Sequence, residues 1–118
     1  MKCPVCENEL TPLTIQGVTV DACLDSCGGV WFDNFELNKF LTQDAAATEI
    51  LRRVQPRAEG FFDYTSRRNC PRCADVVMMR HYASPKRAVE LDSCPGCAGC
   101  WLDAEELARL RRERATRK

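Results

Sequence analysis

Apolar and polar residues alternate in two stretches of the chain, and apolar residues recur at helical spacing after each. Leu13 to Ile15 and Val18 to Val20 flank Gln16-Gly17, which predicts two short strands joined by a tight turn, with glycine where a positive φ is needed. The second stretch, "VVMMRHYASPKRAVELDSC", predicts a longer hairpin whose turn chemistry comes from Ser84, Pro85 and Lys86. After each hairpin an aspartate precedes a glutamate by three residues, Asp33 with Glu36 and Asp103 with Glu106. That spacing is an acidic capping box, in which the aspartate accepts a first-turn N–H and the glutamate reaches back, so a helix is expected to start at each. Leu37, Phe40 and Leu41 give the first helix an apolar face, and Leu107 and Leu110 do the same for the second. "QDAAATEILRRV", from 43 to 54, predicts further helix after a break near Thr42 to Asp44.

The two stretches are copies of one pattern. "CGGVWFDNFELNKF" at 27–40 returns seventy residues later as "CAGCWLDAEELARL" at 97–110, and each block is preceded by a Cys-Pro-x-Cys pair, "CPVC" at 3–6 and "CPRC" at 70–73. The expected organisation is a first unit over 1–54, a linker over 55–69 and a second unit over 70–118 with a basic helix at its end. The linker carries Phe61, Phe62 and Tyr64, aromatics expected to pack against one copy or between the two. Each unit approaches the size below which a chain cannot bury enough apolar surface to fold without staples.

Nine cysteines in 118 residues are the obvious staples. Eight of them fall into C-x2-C-x16-C-x3-C and C-x2-C-x20-C-x2-C, a close pair on each of two turns, which is what a tetrahedral ion takes from a small fold. The expected cofactor is structural zinc, two ions per chain, and most of the stability is expected to come from binding it. With sulfur in all four positions the metal has no open site at which to activate water. The glycines after each last cysteine are expected to offer backbone N–H groups to the thiolates, and Trp31 and Trp101 to cover the sites.

The stretches "CPVC…DACLDSCGGVWFDNFEL" and "CPRC…LDSCPGCAGCWLDAEEL" resemble the transcription factor IIB-type zinc-ribbon family, in two tandem copies covering most of the chain. The resemblance implies ligands at Cys3, Cys6, Cys23 and Cys27, and at Cys70, Cys73, Cys94 and Cys97. It also implies a small metal-stabilised α+β fold in which each ribbon is a short antiparallel sheet followed by a helix. Two departures stand out: the first copy separates its second cysteine pair by three residues, and Cys100 stands where the first copy has Val30.

Seventeen basic and seventeen acidic side chains cancel, but unevenly: residues 1–59 carry a net −4 and residues 60–118 a net +4. No strongly basic surface of the kind nucleic acid needs is expected. No stretch is apolar and long enough to span a bilayer, so a cytoplasmic protein without membrane contact is expected. His81 reads as a surface residue and Cys100 as a small buried apolar one, with a reactive or dimer-forming thiol as the alternative. No nucleophile, base and acid stand together in the pattern, so neither an enzyme nor a small-molecule substrate is expected. The leading functional expectation is a non-catalytic adaptor or regulator, with a protein partner and a possible link to transcription. The alternatives are a nucleic-acid-binding accessory factor using the tail "RLRRERATRK" with Arg67, Arg68, Lys86 and Arg87, and a zinc-thiol redox protein.

Overall fold

The computed structural model describes residues 1–24, 26–54, 67–82 and 89–115, the side chains of 114 and 115 excepted. Among them are six strands: β1 (Thr11–Ile15), β2 (Val18–Ala22), β3 (Val30–Phe32), β4 (Met79–Tyr82), β5 (Glu90–Ser93) and β6 (Cys100–Leu102). Three helices accompany them, α1 (Glu36–Thr42), α2 (Asp44–Arg53) and α3 (Ala104–Ala115). The expected aromatic cluster of Phe61, Phe62 and Tyr64 and the turn at Ser84 to Lys86 lie outside the described residues.

The first hairpin forms where the alternation places it, with Ile15 opposite Val18 and a two-residue turn at Gln16-Gly17. Both turn residues have positive φ, 52° and 84°, the conformation that matches strand twist in a tight hairpin. Each copy contributes three strands, and the two threes join edge to edge in the order β1-β2-β3-β6-β5-β4, antiparallel throughout. At the junction Trp31 lies opposite Trp101, Val30 opposite Leu102 and Phe32 opposite Cys100, so the copies are related by a local two-fold through the tryptophan pair.

Strand alternation then sorts the side chains onto two faces. Val18, Val20 and Ala22 of β2, Val30 and Phe32 of β3, and Cys100 and Leu102 of β6 point to one side. There they meet Phe40, Ala46, Ala47 and Ile50 from α1 and α2 and Leu107 and Leu110 from α3. Trp31 and Trp101 point to the other side, among the eight remaining cysteines. The molecule thus has three layers: helices, sheet, and cysteine knuckles. Both apolar layers draw on both copies, so the size limit that presses on either half is met by pooling their cores.

The helix starts depart from the expected capping boxes. α1 begins at Glu36, after Phe35, which occupies the cap position in the left-handed region (φ 77°) with no side-chain hydrogen bond to the helix. Asp33 and Asp103 instead spend their carboxylates on the indole N–H groups of Trp31 and Trp101, each at 3.0 Å. The glutamates do not reach back either. Glu36 accepts the Thr19 amide of β2 and Glu106 the Glu90 amide of β5, at equivalent places in the two copies. Thr19 and Glu90 lie where β2 and β5 run past the short β3 and β6, and their amides take the glutamates in place of the helix's own first turn; the break at Gln43 separates α1 from α2 as the sequence suggests.

The glycine before each central strand has a specific steric reason. A Cβ on Gly29 would sit 2.2 Å from the Trp101 ring, and one on Gly99 would sit 2.3 Å from the Trp31 ring. Each tryptophan therefore lies on the backbone of the opposite copy. Both rings are fully buried and have no room to move aside. Gly99→Ala is expected to lower the stability of the zinc-loaded protein by about 1–3 kcal/mol, the range for overpacking a core. Denaturant midpoints of the two proteins check this; an unchanged midpoint would mean that the ring contact does not constrain the junction.

Candidate metal centres

The knuckles are built by the turns that carry the cysteine pairs. In the first copy Cys3 and Cys6 sit in a turn closed by the Cys3 amide on the Asn8 carbonyl, and Cys23 and Cys27 in one closed by the Gly28 amide on the Cys23 carbonyl. Glu7 and Gly28 take positive φ there, and Ala98 does so in the second copy. The four sulfurs of Cys3, Cys6, Cys23 and Cys27 lie within 4.8 Å of one another, as do those of Cys70, Cys73, Cys94 and Cys97. Sulfur–sulfur contacts include 3.3 Å for Cys6–Cys23, 3.6 Å for Cys3–Cys27 and 3.8 Å for Cys70–Cys97. Four sulfurs at about 2.3 Å from one zinc ion stand about 3.8 Å apart along each tetrahedral edge, so the clusters have the size of a zinc tetrathiolate.

Backbone N–H groups turn inward on the thiolates. The Val5 and Cys6 amides point to Cys3 Sγ, the Cys73 amide to Cys70 Sγ, and the Gly96 and Cys97 amides to Cys94 Sγ. The expectation that the residues after the last ligands serve as donors holds at Gly29, whose backbone favours the Cys27 thiolate. The Gly28 and Ala98 amides instead close on carbonyls, and Gly29 and Gly99 also clear space for the tryptophans.

Without an ion the thiols divide unequally. The Cys27 thiol hydrogen-bonds Cys3 and holds it down at about 5, while Cys27 itself is pushed well up by the same bond and by burial. Burial pushes Cys23 up to about 11 and Cys70 up to about 12. Burial also acts on Cys94, but the Cys97 and Gly96 amides outweigh it and bring the thiol down to about 7. One sulfur in each cluster is thus ready to ionise, and Cys23, Cys27 and Cys70 are expected to give up their protons when a cation enters.

Cys100 stands apart from both clusters, on the helix side of β6 against the apolar core, where burial pushes its thiol up to about 12. His81 is exposed on β4 and bonds the hydroxyl of Ser93, the neighbour of Cys94, at 2.8 Å, and is not one of either four-cysteine cluster.

Beside the tryptophans lies an ionic network not anticipated from the sequence. Asp21 is the cross-strand partner of Trp31, and Asp92 that of Trp101. Arg68 is buried, 5% exposed, with one guanidinium nitrogen 2.9 Å from Asp103 and 3.4 Å from Asp92, and Arg80 bonds Asp92 at 3.1 Å. Burial raises the Asp103 carboxyl, and the Arg68 charge opposes that rise. In the first copy Arg72, from the knuckle of the second, holds both oxygens of Asp33 at 2.7 and 2.9 Å. A signal existed for part of this: an aspartate stands two residues before Cys23 and before Cys94 in "VDAC" and "LDSC".

The model of the transcription factor zinc-finger family, the zinc ribbons of the transcription factor IIB type, matches residues 2–43 and 69–113, most of the chain. The protein belongs to that family. Its two matched segments each contain one four-cysteine cluster, so it is a tandem zinc-ribbon protein with sites for two zinc ions. No curated protein and no solved structure matches it. Zinc held here by this ribbon would fix each knuckle to the sheet.

Two outcomes separate ligand from bystander. Cys97→Ser is expected to reduce the zinc content from two to one by native mass spectrometry and to melt the second ribbon. Cys100→Val, a change within the apolar core, should keep both ions and cost less than about 1.5 kcal/mol. Equal zinc loss in both variants would place Cys100 among the ligands.

Asp103→Asn tests the ionic network. Removing one carboxylate beside the buried Arg68 is expected to cost about 3 kcal/mol in denaturant unfolding, well beyond the loss of a helix cap, with both zinc ions retained. A loss below 1 kcal/mol would return Asp103 to an ordinary capping role.

Proposed function

We propose that this tandem zinc ribbon is a non-catalytic adaptor or regulator that holds a surface for a protein partner, in the transcriptional setting its family suggests. The zinc-ribbon family is typically non-catalytic, and a centre whose four positions are all sulfur has no place for a substrate or an activated water. Among the described residues no helix is long and apolar enough to cross a membrane.

The observation that carries the adaptor reading over nucleic-acid binding is where the arginines of the second copy spend their charge. Arg68 faces Asp92 and Asp103, Arg72 faces Asp33, Arg80 faces Asp92, Arg109 faces Glu105 and Glu106, and Arg111 faces Asp44. Phosphate binding needs cations that can release counterions on contact, and a guanidinium already lying on a carboxylate has largely lost that capacity. Arg67 and Arg112 are exposed and lie outside these ion pairs, while Lys86, Arg87, the Arg114 side chain and residues 116–118 lie outside the described residues. Large apolar side chains are also exposed: Phe35, with 76% of its surface in solvent at a strained left-handed residue, and Val77, Met79 and Tyr82 near the β4 edge. For a redox role, Cys100 is a poor thiolate because burial holds its proton in place.

The experiment is a fluorescence anisotropy titration of labelled duplex and single strands across a salt series. Binding is expected at about 10⁻⁴ to 10⁻⁶ M near physiological salt, without sequence preference, and removed by deleting residues 111–118. Sequence-dependent nanomolar binding that survives the deletion would transfer the function to nucleic-acid recognition.

A further inference from the structure

The doubled fold contains its own comparison, because a difference between the halves stands out against one repeated backbone. On the knuckle face each half sets two aspartates beside a tryptophan: Asp21 and Asp33 at Trp31, Asp92 and Asp103 at Trp101. In the first half the space against Asp33 is filled from across the local two-fold. Arg72 lays its guanidinium on both carboxylate oxygens, within the field of Asp21 and of Cys97, a metal ligand of the second half.

The residue at the matching place in the first knuckle is Val5, which has no charge to offer. The second half has a groove of about 310 Å³ at the corresponding position. Its walls include Asp92, Trp101 and Asp103, together with Cys27, the first-half counterpart of Cys97. These match the groups that surround Arg72.

Its charged groups also differ. Thr19 and Phe35 of the first half correspond to Glu90 and Glu105 here, Glu36 to Glu106, and Met1 and Pro12 to Arg68 and Arg80, so two cations accompany the two added carboxylates. Five carboxylates line it, Glu90, Asp92, Asp103, Glu105 and Glu106. The guanidiniums paired with them are those of Arg68, Arg80 and Arg109. The adjoining tetrathiolate centre adds a formal charge of about −2 when it holds zinc. The Glu105 side chain is 78% exposed, within reach of an incoming group.

We propose that this groove receives an arginine side chain of a partner protein, seated against the second half as Arg72 is seated against the first. The proposal rests on the adaptor reading and names the chemistry that reading would use. A planar guanidinium presents a fork of N–H donors that can meet two carboxylate oxygens together, whereas a lysine ammonium offers a compact point charge. The arginine comes from a peptide chain, because a groove open to solvent gains from the flanking backbone as well as from the side chain.

The test is an NMR titration of the zinc-loaded full chain with Ac-Gly-Arg-Gly-NH2, with the lysine peptide Ac-Gly-Lys-Gly-NH2 and with free arginine. The expected result is a saturable shift of the Trp101 indole N–H and the Glu105 amide by the arginine peptide. Affinity should be at least threefold weaker for lysine and for free arginine. Val5→Arg, which restores the first-half arrangement, should fill the groove from within and weaken peptide binding at least tenfold while both zinc ions remain. Should Val5→Arg fail to fold, Glu105→Gln, at an exposed position, is expected to weaken binding threefold or more.

Absence of a saturable shift at Trp101 overturns the proposal, as do equal shifts at Trp31 and Trp101 or binding indifferent to Glu105→Gln. Free arginine binding as tightly as the peptide would also overturn it, making the groove a small-molecule site. These outcomes are separate from failure of the adaptor reading, which is decided by nanomolar sequence-dependent binding to nucleic acid.

Discussion

Four thiolates held within 4.8 Å of one another cannot persist without a cation, and the fold depends on that constraint twice. In an ion-free cluster, ionising one sulfur raises the cost of ionising the next. The proximity of the sulfurs is therefore tolerable only when a metal balances the charge. Structural zinc supplies on the order of 10–16 kcal/mol in small peptides, comparable to the whole net stability of an ordinary domain. The knuckles can consequently afford positive φ at Glu7 and Ala98, residues that gain nothing from that conformation themselves. The rest of the sheet hangs from these fixed turns.

A metal centre on each half does not by itself join the halves. The joint is the reciprocal seating of Trp31 on Gly99 and of Trp101 on Gly29, with β3 and β6 only three residues long. So short a strand pair offers few ladder hydrogen bonds, and the buried apolar side chains of both layers, the two indoles among them, do most of the holding. Each indole N–H, buried with its ring, then needs an acceptor, and Asp33 and Asp103 meet that need. The carboxylates in turn need cations, which Arg72 and Arg68 supply. One steric fit thereby sets a sequence of polar requirements running outward from the two-fold.

The parts of this arrangement that rest on local pattern were legible in the sequence. The cysteine spacings identified both clusters, strand alternation placed the first hairpin, and the small residue at Val30 in the first copy marked Cys100 as core. What could not be read depends on the meeting of the two copies. Asp33 and Asp103 satisfy a capping pattern, yet each carboxylate accepts the N–H of the buried indole beside it, so tertiary context overrides the local preference. Gly29 and Gly99 look like residues freeing backbone for the metal until the opposite tryptophan is in place. Arg72 sits at the variable position of a Cys-Pro-x-Cys turn, where one sequence gives no reason to expect a partner thirty-nine residues away.

The repeat is most informative where it fails. A symmetric ancestor of such a sheet would satisfy both halves in the same way, and the shared demands survive: cysteines, the tryptophan-aspartate pair, and the glutamate that pins each helix to a strand amide. Three of the substitutions outside that set are Val5 against Arg72, Thr19 against Glu90 and Phe35 against Glu105. None of these positions is needed to hold zinc or to close the sheet, and the two added glutamates stand beside a centre that is itself anionic. Arg80 and Arg109 pair with those glutamates from within the chain, and Arg68 with Asp92 and Asp103. What the second half lacks is a counterpart of Arg72, the cation that crosses the local two-fold, and that single missing guanidinium is the ground on which an arginine-bearing partner is proposed for one of two otherwise equivalent ribbons.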